Sequence, residues 1–206
     1  WANSLFEDNA EYGLGFALAN ITMRNRLEKL MNQAQDCDKC SPEIKALYKE
    51  WVENKDEADK TKELTAAMLP LLEVEKDKCD YCKEIYSLKQ YLIKRSIWIF
   101  GGDGWAYDIG FGGLDHVLAT GEDINILVLD TEVYSNTGGQ SSKSTPIAAV
   151  AKFAAAGKKI RKKDLGMIAA TYGYVYVAQV GMGSDKNQLM KALLEAEKYD
   201  GPSLII

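Results

Sequence analysis

The chain has 206 residues, of which 47% are hydrophobic, and its 25 basic and 30 acidic side chains give a formal net charge of −5. This length suits one large domain, or one domain with an inserted subdomain. No basic stripe with interleaved aromatic residues occurs, which disfavours nucleic-acid binding. No run of eighteen apolar residues that could span a membrane is present either. The N-terminus lacks the basic and apolar segments of a signal peptide, so we expect a cytoplasmic location.

Both ends of the chain read as cut. The sequence opens at Trp1 without an initiator Met, and it stops at 203–206, inside a pattern typical of a buried strand. We therefore expect residues 1–206 to be one domain of a longer polypeptide.

The first half of the chain carries apolar residues at helical spacing. The predicted helices are 9–35, 42–54, 57–73 and 80–94. Ser41 followed by Pro42 is a good start for the second of them. The block 36–95 is rich in Lys, Asp and Glu, and we interpret it as a helical hairpin inserted into, or appended to, an α/β domain.

Strands and helices alternate after residue 96. The predicted strands are 96–100, 124–130, 174–180 and 203–206, and the predicted helices are 106–119, 147–156, 164–171 and 185–198. We expect Asp164 and Ser184 to cap the last two helices. The alternation predicts an α/β fold in which a three-layer parallel sheet has helices on both faces. The basic connector 158–163 is interpreted as a solvated loop, with an acidic partner as the alternative.

A glycine-rich turn follows the strand 96–100. Gly101, Gly102 and Gly104 remove side chains where a backbone must approach a large anion, and the helix that follows would direct its free N–H groups at that anion. Asp103 would repel a bare phosphate, so we expect Mg²⁺ between them. The alternative is a simple strand-to-helix turn, because such turns are common.

A second cluster of oxygen ligands follows the strand 124–130. Its members are Asp130, the Thr131 hydroxyl, Glu132, a backbone carbonyl near Val133, and Asn136. Parallel strands bring their carboxyl ends to one edge of a sheet, so this loop should meet Asp103. Gly138-Gly139 would let the loop fold tightly. Neither the mononucleotide P-loop nor the dinucleotide glycine fingerprint is present.

These two segments resemble a known family. Gly-Gly-Asp-Gly-Trp-Ala-Tyr-Asp from Gly101, with Asp-Thr-Glu-Val-Tyr-Ser-Asn-Thr-Gly-Gly-Gln from Asp130, is similar to the thiamine-diphosphate motif of the pyruvate:ferredoxin (flavodoxin) oxidoreductases. The resemblance covers residues 1–30 and 96–206, and it implies the thiamine-diphosphate-binding fold.

The resemblance implies a role for each matched position. Asp103, Thr131 and the main-chain carbonyl of Val133 would hold Mg²⁺. Gly102 and Gly104 would line the diphosphate, and Asn136 would face the reacting carbon of the cofactor. Of the other candidates, Asp130 would support the loop, and Lys143 would be solvated or reach a phosphate.

The implied reaction is the oxidative decarboxylation of pyruvate to acetyl-CoA and CO₂. Electrons would pass through iron–sulfur clusters, whose ligands lie outside this segment, to ferredoxin or flavodoxin. We expect a homodimer, with the apolar residues near Tyr107–Phe111 at the contact. His116 is interpreted as structural. The segment alone should be inactive, because the carboxylate that activates the cofactor would come from another domain. The alternatives are another 2-oxoacid oxidoreductase or decarboxylase, and a non-catalytic interaction module.

The four cysteines form two Cys-x-x-Cys pairs, Cys37/Cys40 and Cys79/Cys82. Their spacing matches zinc knuckles, although the gap between the pairs is long. The predicted helices run away and back between them, so both pairs should lie at one end of the hairpin. The hypotheses are a four-thiolate structural zinc site, two disulfides, or four free thiols.

Overall fold

The computed structural model describes residues 6–206, so the part of the family resemblance at 1–5 lies outside the described residues. Two compact units are present. One contains the residues up to Ala17 together with Ser96–Ile206, and the other is Leu18–Arg95. The predicted 36–95 insertion stays a prediction; the second unit begins earlier because Leu27 and Met31 of the first helix belong to its buried core. Among the described residues, no helix has the length and apolar character needed to cross a membrane.

The second unit is helical. Its elements are drawn from α1 (Asn9–Ala34), which contributes to both units, and from α2 (Pro42–Glu53), α3 (Ala58–Glu75) and α4 (Asp80–Ser87). The Ser41 side chain caps α2 by accepting a hydrogen bond from the Ile44 N–H at 3.3 Å, as predicted. The predicted helix 80–94 was too long. A separate 3₁₀ turn, Lys89–Tyr91, follows α4, and the Leu92 carbonyl after it accepts hydrogen bonds from the Trp51 indole at 2.8 Å and the Arg24 guanidinium at 3.1 Å.

The first unit contains a parallel sheet of four strands, β1 (Trp98–Gly102), β2 (Asn125–Leu129), β5 (Tyr176–Ala178) and β6 (Ser203–Ile205). Their order across the sheet is β1-β2-β6-β5. A separate hairpin is formed by β3 (Val133–Tyr134) and β4 (Gln140–Ser141). The helices of this unit are α5 (Phe111–Thr120), α6 (Leu165–Ala170) and α7 (Lys186–Lys198). A π-helical turn, Gly104–Ile109, precedes α5.

Helices cover both faces of the sheet, as predicted. Successive side chains of a strand point to opposite faces. On one face, Ile126 and Leu204 belong to a core that includes Leu114 of α5. On the other face, Ile205 packs with Ala192 and Ala196 of α7. The three-layer arrangement therefore follows from strands that are apolar on both sides.

Several element boundaries differ from the predictions. The helix predicted at 106–119 begins as the π-helical turn at Gly104, and it is interrupted at Gly110, whose N–H donates to the Trp105 carbonyl at 2.8 Å. The Asp164 cap is confirmed by its hydrogen bond from the Met167 N–H. The cap of the last helix is Asp185 and not Ser184, because the Asp185 carboxylate accepts from the first-turn N–H groups.

The predicted helix 147–156 is wrong. This segment runs beside β4, where the Ser141 N–H donates to the Lys152 carbonyl at 2.9 Å and the Lys152 N–H donates to the Gly139 carbonyl at 3.0 Å. Ala148 and Phe153 have positive φ angles of 68° and 66°, which no α-helix contains. Pairing with the neighbouring loop therefore overrides the helical propensity of its alanines.

Candidate functional site

The sheet register brings the two predicted loops together. Gly102 at the end of β1 is paired with Leu129 at the end of β2. The next residues, Asp103 and Asp130, therefore leave the sheet side by side at its carboxyl edge. Ligands bind at this edge in open parallel sheets.

Asp103 is the buried centre of this site. Only 1% of its surface is exposed. Its Oδ1 accepts a hydrogen bond from the Thr131 hydroxyl at 3.0 Å, and its Oδ2 accepts from Ser142 at 2.6 Å and from Ser144 at 2.8 Å. These contacts fix the direction of the carboxylate.

Two further oxygen atoms lie beside this carboxylate, so that three oxygen ligands come together. The Thr131 hydroxyl oxygen lies 3.0 Å from Asp103 Oδ1 and 3.1 Å from the Val133 carbonyl oxygen. Neighbouring ligands of an octahedral Mg²⁺ with bonds of 2.0–2.1 Å lie about 2.9 Å apart. Both the chemistry and the spacing of this donor set therefore fit a magnesium ion.

A cavity of about 670 Å³ opens next to these oxygens, and its lining includes Gly102, Asp103, Thr131, Val133 and Asn136. Each of these was a predicted site residue. Asn136 lies on the exposed part of the loop, after β3. The turn between β3 and β4 is closed by Gly138 and Gly139, whose φ angles of 112° and 91° favour glycine.

The predicted glycine turn is not a separate loop, because Gly101 and Gly102 end β1 and Gly104 begins the π-helical turn. These glycines differ in their surroundings. A Cβ placed on Gly102 would have no atom of the described residues within 4 Å, so this backbone faces open space. A Cβ on Gly104 would overlap the Tyr134 ring, and one on Gly101 would overlap the Trp105 ring. Gly102 therefore leaves room for a ligand, whereas Gly104 and Gly101 leave room for aromatic side chains.

Asp130 supports the second loop. Its Oδ2 accepts hydrogen bonds from Lys162 Nζ at 2.5 Å and from the Tyr107 hydroxyl at 3.0 Å, and its Oδ1 accepts from the Glu132 N–H at 3.1 Å. Burial, followed by the charge of Asp130, raises the pKa of Tyr107. The Glu132 side chain is exposed, and its residue has a positive φ of 63°. Neither acid is among the residues that line the cavity.

The connector 158–163 is a loop as predicted, but only its middle, residues 159–161, is exposed to solvent. Lys158 is buried, and its Nζ donates to the carbonyls of Ser142 at 2.7 Å and Thr145 at 2.6 Å. Burial lowers the pKa of Lys158. Burial, with the nearby charge of Lys143, also lowers the pKa of Lys163 to about 8. Lys158 therefore stabilises the segment that carries the serines facing Asp103, whereas Lys163 Nζ donates to the Tyr107 carbonyl at 3.1 Å.

Sequence reasoning missed Ser142 and Ser144. Both are buried and bind the same carboxylate oxygen. The signal was present as a run of hydroxyl residues, Ser141-Ser142-Lys143-Ser144-Thr145, directly after the predicted ligands. Lys143 itself pairs with Asp108 at 2.9 Å and remains largely exposed. His116 is exposed on α5, away from the cavity lining.

More than half of the chain matches a known protein family. The family described as "Thiamine pyrophosphate enzyme, C-terminal TPP binding domain" matches residues 87–206, so the chain belongs to this family. The matched region contains every residue of the oxygen cluster and its supports.

More specific similarity comes from curated relatives. The chain is 56% identical over 206 residues to the pyruvate-flavodoxin oxidoreductase of Klebsiella pneumoniae and 56% identical over 211 residues to the pyruvate:ferredoxin oxidoreductase of Moorella thermoacetica. Each match covers 100% of this chain and 18% of the relative. The chain is also 50% identical over 206 residues to the mitochondrial pyruvate dehydrogenase [NADP(+)] of Euglena gracilis, covering 100% of this chain and 11% of that protein.

Among solved structures, 2-oxoglutarate:ferredoxin oxidoreductase from Magnetococcus marinus matches 53% of this chain and 38% of its own, with 23% identity and a TM-score of 0.46.

Proposed function

We propose that this chain binds the diphosphate end of thiamine diphosphate through Mg²⁺. Asp103, Thr131 and the Val133 carbonyl are the ligands that the chain would supply to the ion. The main support is the convergence of these three oxygens at 3.0 and 3.1 Å beside an open cavity. Membership of the thiamine pyrophosphate enzyme family supports the identity of the ligand.

When bound, thiamine diphosphate would supply both a nucleophilic carbon and a cationic ring that accepts the electron pair left by decarboxylation of a 2-oxoacid. The chain's own residues position it. Ser142 and Ser144 donate hydrogen bonds to Asp103 Oδ2 and fix the direction of the carboxylate. Gly102 leaves space for the diphosphate, Gly104 would lie beside it, and Asn136 is the side chain proposed to face the reacting carbon.

We further propose that the whole protein oxidatively decarboxylates pyruvate to acetyl-CoA and CO₂, with ferredoxin or flavodoxin as the electron acceptor. The names of the relatives that are 56% identical carry this proposal. Coenzyme A and iron–sulfur clusters belong to the same proposal, with the cluster ligands outside this segment. Because the chain spans 18% of those relatives, the segment alone is expected to be inactive.

The electron acceptor has a second candidate. The relative from Euglena gracilis is named for NADP(+) and is 50% identical to this chain. The site that we describe would be the same for either acceptor, because it concerns the diphosphate and not the route of the electrons. Assays of the full-length protein with ferredoxin, flavodoxin and NADP⁺ would show whether the acceptor is one of the two electron-carrier proteins or NADP⁺.

The homodimer and the cytoplasmic location also remain proposals. Within the range suggested for the dimer contact, Ile109 is 48% exposed, whereas Tyr107 is 2% exposed and Phe111 packs against the core. Exposed apolar side chains also occur in the segment 147–160, where Phe153 is 92% exposed.

Calorimetry of the full-length protein with thiamine diphosphate and Mg²⁺ tests the proposed site. Asp103→Asn removes the anionic ligand and should raise the Kd by about 100-fold or more, beyond the 10–100-fold cost of losing an outer-shell partner. Pyruvate-dependent acetyl-CoA formation should fall with it. The control is Asp200→Asn, which changes an exposed acid in the same unit.

Unchanged affinity in Asp103→Asn would contradict the metal site and favour a non-catalytic interaction module. Normal binding with turnover of a different 2-oxoacid in a substrate panel would retain the site and overturn the choice of pyruvate.

A further inference from the structure

The four cysteines of the helical unit lie at one place: the sulfur atoms of Cys37, Cys40 and Cys79 are within 4.8 Å of one another, and Cys82 contacts this group through Cys40. Cys37 Sγ lies 3.2 Å from Cys79 Sγ, and Cys40 Sγ lies 3.4 Å from Cys79 Sγ and 3.5 Å from Cys82 Sγ. Cys40, Cys79 and Cys82 are buried, and Cys37 is partly buried. The proposed cofactor site makes no use of these side chains, which belong to the other compact unit.

The fold brings the two pairs together from distant parts of the sequence. Cys37 and Cys40 lie in the turn between α1 and α2, where the Cys40 N–H donates to the Cys37 carbonyl at 3.3 Å. Cys79 is the N-cap of α4, and Cys82 lies in its first turn. The antiparallel course of α2 and α3 returns the chain to its starting end. Four helix termini therefore meet around the sulfur atoms.

Three sulfur contacts are close to the spacing of ligands around a single central ion. Four thiolates at 2.3 Å from a tetrahedral zinc lie about 3.8 Å apart, so the contacts of 3.2–3.5 Å need only a small expansion. The Cys82 side chain, which reaches the group through Cys40, would move toward the other two sulfurs to complete the tetrahedron. Cys79 and Cys40 each contact two other sulfurs at similar distances. Two disulfides would instead pair each sulfur with a single partner. An iron–sulfur cubane would require wider spacing, because each cysteine binds a different iron around a cluster.

We propose that Cys37, Cys40, Cys79 and Cys82 bind one zinc ion as four thiolates. The site is closed: four protein ligands complete a tetrahedron, and no position remains for a substrate. Its role is therefore structural, and it ties the ends of α1, α2, α3 and α4 together.

The surroundings of the sulfurs agree with a buried thiolate site. The Tyr48 hydroxyl, which is fully buried, donates to Cys82 Sγ at 3.4 Å. The N-terminus of α4, eight residues long, carries the positive end of the helix dipole next to Cys79.

The full-length protein, purified anaerobically from zinc-supplemented cells, provides the test. Elemental analysis should find one zinc per chain, and X-ray absorption at the zinc edge should show four sulfur neighbours at about 2.3 Å. Cys37→Ser combined with Cys82→Ser should remove this zinc. The control Asp38→Asn, between the first two ligands and exposed, should retain it.

The absorption spectrum of the unaltered protein decides the question even if the double variant fails to fold. Four results would each overturn the proposal. Zinc could be missing or below one per chain, or the zinc could have nitrogen or oxygen neighbours in the spectrum. Iron could occupy the four-sulfur site, or disulfides could be mapped between these cysteines. The result is independent of thiamine diphosphate binding, because the cysteines are not in the cofactor site.

Discussion

Among single residues, Asp103 matters most to the proposed metal site, because its carboxylate must be held in a fixed direction. A buried carboxylate is costly unless hydrogen bonds or a cation compensate its charge. Three hydroxyl groups supply hydrogen bonds here, from Thr131, Ser142 and Ser144. The carboxylate is thus oriented before any ion arrives, which lowers the cost of forming the metal site.

Removing the serine hydroxyls should therefore weaken cofactor binding without removing a proposed ligand. Ser142→Ala combined with Ser144→Ala leaves one carboxylate oxygen without its donors. We expect the affinity for Mg²⁺ and thiamine diphosphate to fall about 10–100-fold, as for other outer-shell partners of metal ligands. Calorimetry measures the change. Ser184→Ala, a serine of the same unit outside the cavity lining, is the control, and an equal loss in that variant would refute a specific role for the pair.

The sequence allowed prediction of the candidate ligands but not of their supports. Asp103 and Thr131 follow apolar strands directly, so the parallel-sheet rule was enough to bring them together. Ser142 and Ser144 lie beyond a hairpin, and their approach to Asp103 depends on long-range contacts such as the two Lys158 hydrogen bonds. Periodicity carries no information about contacts of that kind.

At the scale of elements, the strands were predictable and the loops were not. The cores of β1 and β2 lie within the predicted ranges, because apolar runs bounded by glycine and polar residues are strong signals. The predicted helix 147–156 failed because its alanines favour a helix only when tertiary pairing does not compete. The β3–β4 hairpin lay inside a segment interpreted as a polar loop, since strands of two residues leave no periodic pattern.

Substitutions at Gly102 and Gly104 offer a test that distinguishes an effect on stability from an effect on cofactor binding. Gly102→Ala adds a methyl group to open space, so it should change the free energy of unfolding by less than about 0.5 kcal/mol. The same methyl group would occupy the proposed diphosphate space and weaken binding. Gly104→Ala would overlap the Tyr134 ring and should cost about 1–3 kcal/mol of stability.

Denaturant unfolding and calorimetry on the two variants give the comparison. Full cofactor affinity in Gly102→Ala would show that the diphosphate lies elsewhere. A stable Gly104→Ala protein would show that Tyr134 moves freely, against the tight packing described.

At the scale of the whole molecule, the two compact units carry different chemistry. The unit that contains the sheet holds an oxygen-rich cavity suited to a hard cation, and the helical unit holds four sulfurs suited to a softer one. The convergence of the cysteines was predicted from the helical hairpin alone. The chain covers 18% of its 56% identical relatives, so reaction steps that need other domains lie beyond this segment.

The most direct test is a crystal structure of the full-length protein with thiamine diphosphate and Mn²⁺ in place of Mg²⁺, since Mn²⁺ has a strong anomalous signal and prefers the same oxygen ligands. We expect one anomalous peak from an ion bonded to Asp103, the Thr131 hydroxyl and the Val133 carbonyl, with the diphosphate beside Gly102. A peak bonded to none of these atoms, with the diphosphate bound elsewhere, would contradict it.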